Sequence, residues 1–136
     1  MRSIIKSKRA CEKHLNSLSP SLPTAYEGVV FTPPSGMYQS CQFMLQSPDD
    51  PVFGTGYFRE RFDFQVFVIA PYNKGTTDAL ERAELIRDHF HKGLTLVEED
   101  ITLHFLRTPK IAGSMVSEGR IIIPILISVI SEVYDA

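Results

Sequence analysis

Residues 121–130 read Ile-Ile-Ile-Pro-Ile-Leu-Ile-Ser-Val-Ile, and this run narrows the folds open to the chain more than any other segment. β-Branched residues at this density favour a strand. Ile121, Ile123, Ile125, Ile127 and Val129 fill one face, and Ile122, Leu126 and Ile130 most of the other. A strand apolar on both faces is buried on both. The run is far short of the ~20 residues that span a bilayer, so it belongs to a folded core or an interface. Pro124 has no N–H to give a ladder and places the strand at a sheet edge or at a bulge. An edge strand of this kind needs a cover, and a second copy of the chain is the simplest one. Ile123, Ile125 and Ile127 are therefore candidate subunit-interface residues, with a bulge as the alternative.

A second strand is expected over Tyr57–Ile69. Phe58, Phe62, Phe64, Val66 and Val68 share one face with Glu60, and alternation puts Tyr57, Arg59, Arg61, Asp63, Gln65, Phe67 and Ile69 on the other. The first is a core face. Tyr57, Arg59, Arg61, Asp63 and Gln65 make a polar patch suited to setting the register of a subunit contact. Before it, Ser47-Pro48-Asp49-Asp50-Pro51 and Gly54-Thr55-Gly56 bound a long loop with the composition of a projecting arm. Asp49, Asp50 and Phe53 are its candidate contacts to a neighbour.

The rest of the pattern completes an α+β fold, a mainly antiparallel, partly mixed sheet with two helices. An amphipathic helix is expected over Arg2–Ser17 on the stripe Ile4, Lys8, Cys11, Leu15 and Leu18, ended by Pro20 and Pro23. A second is expected from about Asp78 to His91, capped by Thr77 or Asp78 with Glu81 at capping-box spacing. Its buried side is Ala79, Ala83, Ile86 and Phe90, broadened by Leu80 and Leu85, with Gly93 as its stop. Short strands are expected at Tyr26–Phe31, Tyr38–Gln46, Leu94–Val97 and Ile101–Arg107, a loop over Thr108–Glu118, and the last strand over Gly119–Val133. At 136 residues the chain is one domain, 1–136, able to bury roughly two-thirds of its unfolded surface.

Chemistry is sparse. Cys11 and Cys41 lack CxxC spacing and suggest neither a metal knot nor a disulfide framework. His89 and His91 face different ways and cannot share a metal as an i, i+4 pair does; they read as solvated helix-end histidines. His14 reads as lying on the polar side of its helix, and His104 as a surface or interface side chain. Gly54-Thr55-Gly56 lacks a phosphate-loop pattern, and no serine sits in a nucleophile elbow. No catalytic residue, cofactor or metal is expected. Lys6, Lys8, Arg9 and Lys13 form a small basic cluster, but a formal net charge of −2 argues against a dedicated nucleic-acid binder. The opening residues are basic without an apolar h-region, so no secretory signal is expected.

The segment Tyr57-Phe58-Arg59-Glu60-Arg61-Phe62-Asp63-Phe64-Gln65-Val66, followed by Val68, Ala70-Pro71 and Gly75, resembles a phage tail-terminator family in its Arg-Glu-Arg strand and Ala-Pro turn. The resemblance continues through the alanine-bearing helix (Ala79, Ala83, Ile86-Arg87, His89-Phe90, Gly93), then Arg107-Thr108-Pro109 and the Gly119…Pro124 strand. It covers roughly residues 57–130, and the first helix agrees in kind only. It implies a structural virion protein, not an enzyme: a homo-oligomeric ring, usually of six copies, at the head-proximal end of the tail tube. The ring halts tube growth and joins the tail to the head connector, after assembly in the host cytoplasm. Its partners would be itself, the tube protein, which the arm carrying Asp49, Asp50 and Phe53 could reach in place of a neighbour, and the connector. DNA would pass through without specific binding, past channel-facing acids such as Glu98, Glu99 and Asp100. The rivals are a head-completion or neck adaptor ring, a small hydrolase or nucleotide-binding enzyme, and a nucleic-acid-binding module.

Overall fold

The computed structural model describes residues 2–134. The element order is α1 (Ser3–Asn16), β1 (Thr24–Ala25), β2 (Tyr38–Leu45), β3 (Tyr57–Pro71), a 3-10 turn (Tyr72–Lys74), α2 (Thr77–His89), β4 (Thr95–Glu98), β5 (Ile101–His104), β6 (Lys110–Ile111), β7 (Met115–Ser117) and β8 (Arg120–Tyr134). These make the expected α+β fold, with one mixed eight-stranded sheet in the order β1-β2-β3-β8-β5-β4. Among the described residues only the β1–β2 pair is parallel. Both helices pack on the same side of the sheet and share one hydrophobic cluster with it.

The isoleucine-rich strand lies at the centre of the sheet. One edge of β8 pairs with β3 along its whole length. The other edge pairs in succession with β7, β6 and β5. The expectation of an edge position or a bulge in β8 is thereby corrected. In an antiparallel ladder the N–H and C=O of one residue point the same way. The Pro124 carbonyl accepts from the Ala112 N–H at 2.9 Å. The nitrogen of Pro124 therefore also faces the gap between β6 and β7, where the partner strand is interrupted. The β3 ladder loses no donor, and the proline sits in a central strand at little cost.

Ile121, Ile123, Ile125, Ile127 and Val129 line the helix-covered face. Ile123, Ile125 and Ile127 are fully buried within the single chain. Their assignment as interface residues is corrected: they have no surface left to offer a neighbour. Phe62, Phe64, Val66 and Val68 lie beside them from β3, and Phe90 brings α2 and Phe105 into the same core, 5.7 Å between ring centres in each pair with Phe64 and Phe105. Each such side chain stabilises the fold by roughly 1.5–3 kcal/mol relative to exposure.

The expected stripes hold in part: Cys11, Leu15 and Leu18 of the first and Ala79, Ala83, Ile86 and Phe90 of the second are buried. The buried positions of α1 are Ser3, Ser7, Ala10, Cys11 and Leu15, whereas Ile4 is 40% exposed. Small residues let the helix axis approach the sheet closely, so shape decides the buried side. Salt bridges link α1 to the β4–β5 turn: Arg9 and Lys13 reach Glu98 at 3.6 and 3.1 Å, Lys6 reaches Glu99 at 3.2 Å, and Lys6 also pairs with Asp100. On α2 the buried residues are Ala79, Arg82, Ala83 and Ile86, and Leu80 and Leu85 are exposed rather than broadening the apolar side. The N-cap is Thr76, without a side-chain cap bond. Its ψ of −8° is already close to helical, whereas a capping hydroxyl needs extended backbone. The helix stops at His89, ahead of Gly93, whose φ of 89° serves the following turn.

Three further expectations are corrected. Residues 26–31 form no strand, because the Glu27 carboxylate accepts the Phe43 N–H at 3.2 Å and stands in for a backbone partner. The 108–118 segment contains β6 and β7, and β7 enters β8 through Glu118 and Gly119, both with positive φ, the backbone of a type I′ hairpin. Of the two histidines expected to be solvated, His91 is exposed, but His89 is half-buried with its ring stacked on that of His14 at 3.8 Å. Each ring's Nε2–H donates to the other's carbonyl, at 2.7 and 2.6 Å, since a carbonyl can only accept. Burial holds His14 below the ordinary histidine range.

Candidate assembly surface

With both helices on one side, the other side of the sheet is left open. Cross-strand register sets its residues in rows: Arg59 beside Glu132, Arg61 beside Ile130, Asp63 beside Ser128, Gln65 beside Leu126 and Phe67 beside Pro124. β2 adds Ser40, Gln42 and Met44 alongside. The structure thus brings Tyr57, Arg59, Arg61, Asp63 and Gln65 onto one exposed sheet face. It places Ile123, Ile125 and Ile127 behind that face, on the helix side.

The charged residues of this face are engaged unequally. Arg59 Nε donates to the Tyr57 hydroxyl at 3.1 Å, and that hydroxyl donates to Glu132 at 3.2 Å. Glu132 also meets His104 at 3.1 Å. The Asp63 carboxylate accepts from Gln46 at 2.7 Å. Arg61, opposite an isoleucine, is exposed and has no carboxylate partner among the described residues. Arg59 is therefore occupied within the chain, and Arg61 is available. Sequence reasoning missed Leu106, which is 58% exposed beside Ile130 in two shallow hollows that adjoin here. The strand expected to run to Arg107 ends at His104, and alternation with the buried Phe105 puts Leu106 on the open side.

The 46–56 loop leaves the rim of the same face. It is tied at its base by a two-way backbone pair between Asp49 and Arg59, 2.8 Å in each direction. Beyond this tie Asp50 is exposed and Phe53 is fully exposed. Glu98, Glu99 and Asp100 lie on the helix side, at the β4–β5 turn, against the α1 cations. The hydrogen bond from Lys6 holds the Asp100 carboxyl below its usual range. The basic cluster and the acidic turn largely neutralise each other, which removes the motif behind a nucleic-acid reading.

Among the described residues no three His, Cys, Asp or Glu side chains are grouped to hold a metal. Cys11 and Cys41 are buried free thiols. Burial pushes the Cys41 pKa up to about 12 and that of Cys11 upward too, so neither is a ready nucleophile. No helix among the described residues is long and apolar enough to cross a membrane.

The arrangement is thus a sheet covered by helices on one side, with a polar-rimmed open side and a tethered arm. A family model described as phage tail terminator protein matches residues 7–128. The chain belongs to that family, and is a structural protein of the phage tail. One solved structure, which carries no functional description, matches over 100% of both chains with a TM-score of 0.78 at 21% identity. A second, a chain from the virion of a native gene transfer agent particle, covers 96% of this chain and 98% of its own, with a TM-score of 0.63 at 20% identity. At these identities both likenesses speak for the fold. No curated protein sequence matches.

Proposed function

We propose that this single domain, residues 1–136, is a tail terminator that assembles as a ring, of six copies, on the head-proximal end of the tail tube. It stops tube polymerisation and offers its far side to the head connector, after assembly in the host cytoplasm. The observation that carries the reading is the family match over nearly the whole chain, joined to a sheet face that the chain leaves uncovered. The gene transfer agent neighbour supports a place in a particle. A ring needs two different complementary patches on each copy, and the open face with its arm supplies them. DNA passes through ungripped in this reading: the α1 cations are matched by Glu98, Glu99 and Asp100, and a channel lined by that turn would present little positive field to phosphate.

The test is tube growth. Added to polymerising tail-tube protein, the chain is expected to bind tube ends only and to shorten tubes at amounts far below one copy per tube subunit. Binding along tube walls, or unaltered tube lengths together with binding to an isolated head connector, would favour a neck adaptor instead.

A further inference from the structure

The arm and the open face each carry a surface that the chain itself does not satisfy. Past the Asp49–Arg59 tie, the arm presents Phe53 at 106% relative exposure and Val52 at 54%. Burying a phenylalanine gains roughly 1.5–3 kcal/mol, yet this ring touches none of its own chain's hollows. Gly54 and Gly56, both at φ 98°, give the tip its turn. On the open face, hollows of about 360 and 260 Å³ share Leu106 and Ile130 as apolar lining, and the larger also holds Gln46, Asp63 and Ser128. Arg61 and Arg107 stand at the rim, exposed and without carboxylate partners among the described residues. The arm carries the opposite charge in Asp49 and Asp50, both exposed.

We infer that the arm of one copy docks into the groove of the next, with Phe53 on Leu106 and Ile130 and Asp50 facing Arg61 and Arg107. The inference rests on the ring reading and names its contact. The occupant is a second copy because apolar knob and hollow, acid and base, are complementary within a single sequence. They occupy different patches, so the contact is head-to-tail, the type that closes into a ring. The charge pairs fix register, and the buried aromatic anchors the contact.

Two single variants test it, Phe53→Cys and Leu106→Cys. Both positions are exposed, and the native cysteines are buried. Mixed and mildly oxidised, alone and on tail tubes, they are expected to form a disulfide-linked heterodimer. Its yield should exceed that of Phe53→Cys mixed with Leu80→Cys by on the order of tenfold, as effective concentration dictates. Asp50→Arg should lower that yield, and Arg107→Asp in the partner should restore it. Solution mass is measured alongside. A ring-sized mass without the 53–106 link overturns the docking while leaving the ring intact. A monomer under both conditions overturns ring and docking together. A link formed only within a doubly substituted chain places the arm in its own groove and overturns the docking as well.

Discussion

Ile125→Ala is expected to lower the unfolding free energy by about 2–5 kcal/mol, the usual cost of emptying an isoleucine site in a packed core. Ile125 is fully buried and lies in register with Val66 on β3 and Ile111 on β6, so strands pinned on both sides limit collapse around the cavity. Typical domains hold only ~5–15 kcal/mol in total, and the variant should sit near its unfolding threshold at physiological temperature. Urea titration at two protein concentrations a hundredfold apart checks the claim. The loss of midpoint caused by the substitution should be the same at both, because the site is inside one copy. A loss seen only at the higher concentration would return the isoleucine face to the interface.

Arg82→Ala should be nearly as damaging although it removes a charge from a core. Arg82 is 3% exposed. Its Nε and Nη2 both donate to Gln39 Oε1, at 3.3 and 3.1 Å, and its Nη1 donates to the Pro20 carbonyl. One side chain thereby ties α2 to β2 and to the segment after α1. Truncation strands Gln39, itself 1% exposed, with an unpaired buried oxygen, at a cost of about 1–3 kcal/mol. Losing the packed arginine stem adds to this, and about 2–4 kcal/mol in all is expected in the same titration. Arg82→Lys should recover only part, since an ammonium cannot reproduce the fork. Desolvation already pulls the Arg82 pKa down, but an arginine stays charged at any pH where the chain is folded.

How far the sequence could be read depends on which physical signal each element carries. Alternation in β2, β3 and β8 is strong because half the residues of each strand meet a dry core. The α+β class and the polar outer face of β3 followed directly. What alternation cannot show is order across the sheet. Pro124 pointed to an edge because it lacks a donor. Its tolerance in the centre depends on β6 and β7 leaving a gap opposite it, a non-local fact no local pattern carries. The two-sided apolarity of β8 pointed to burial on both faces, and within the chain this holds for one. The shield on that side proved to be the chain's own helices, leaving the Ile122, Leu126 and Ile130 side half-buried.

On the α1 stripe the Cys11, Leu15 and Leu18 end was legible, but its N-terminal half is built from Ser3, Ser7 and Ala10, which hydrophobicity cannot pick out. Arg82 was passed over for the same reason: a buried arginine announces itself only through partners such as Gln39, 43 positions away. Leu106 was missed because alternation alone does not tell which face of β5 is left open. The β7–β8 hairpin turns on Glu118-Gly119, a weaker signature than Asn-Gly.

The helices cover the inner face within one copy, and in the proposed ring the open face meets the assembly. Hydroxyl-radical labelling of side chains, compared between the free chain and the chain bound to tail-tube ends, tests this directly. The account predicts that labelling of Phe53, Leu106 and Ile130 falls on assembly while labelling of Leu80 and Leu85 on α2 stays unchanged. Protection of Leu80 and Leu85, with Phe53 and Leu106 labelled as in the free chain, would contradict it.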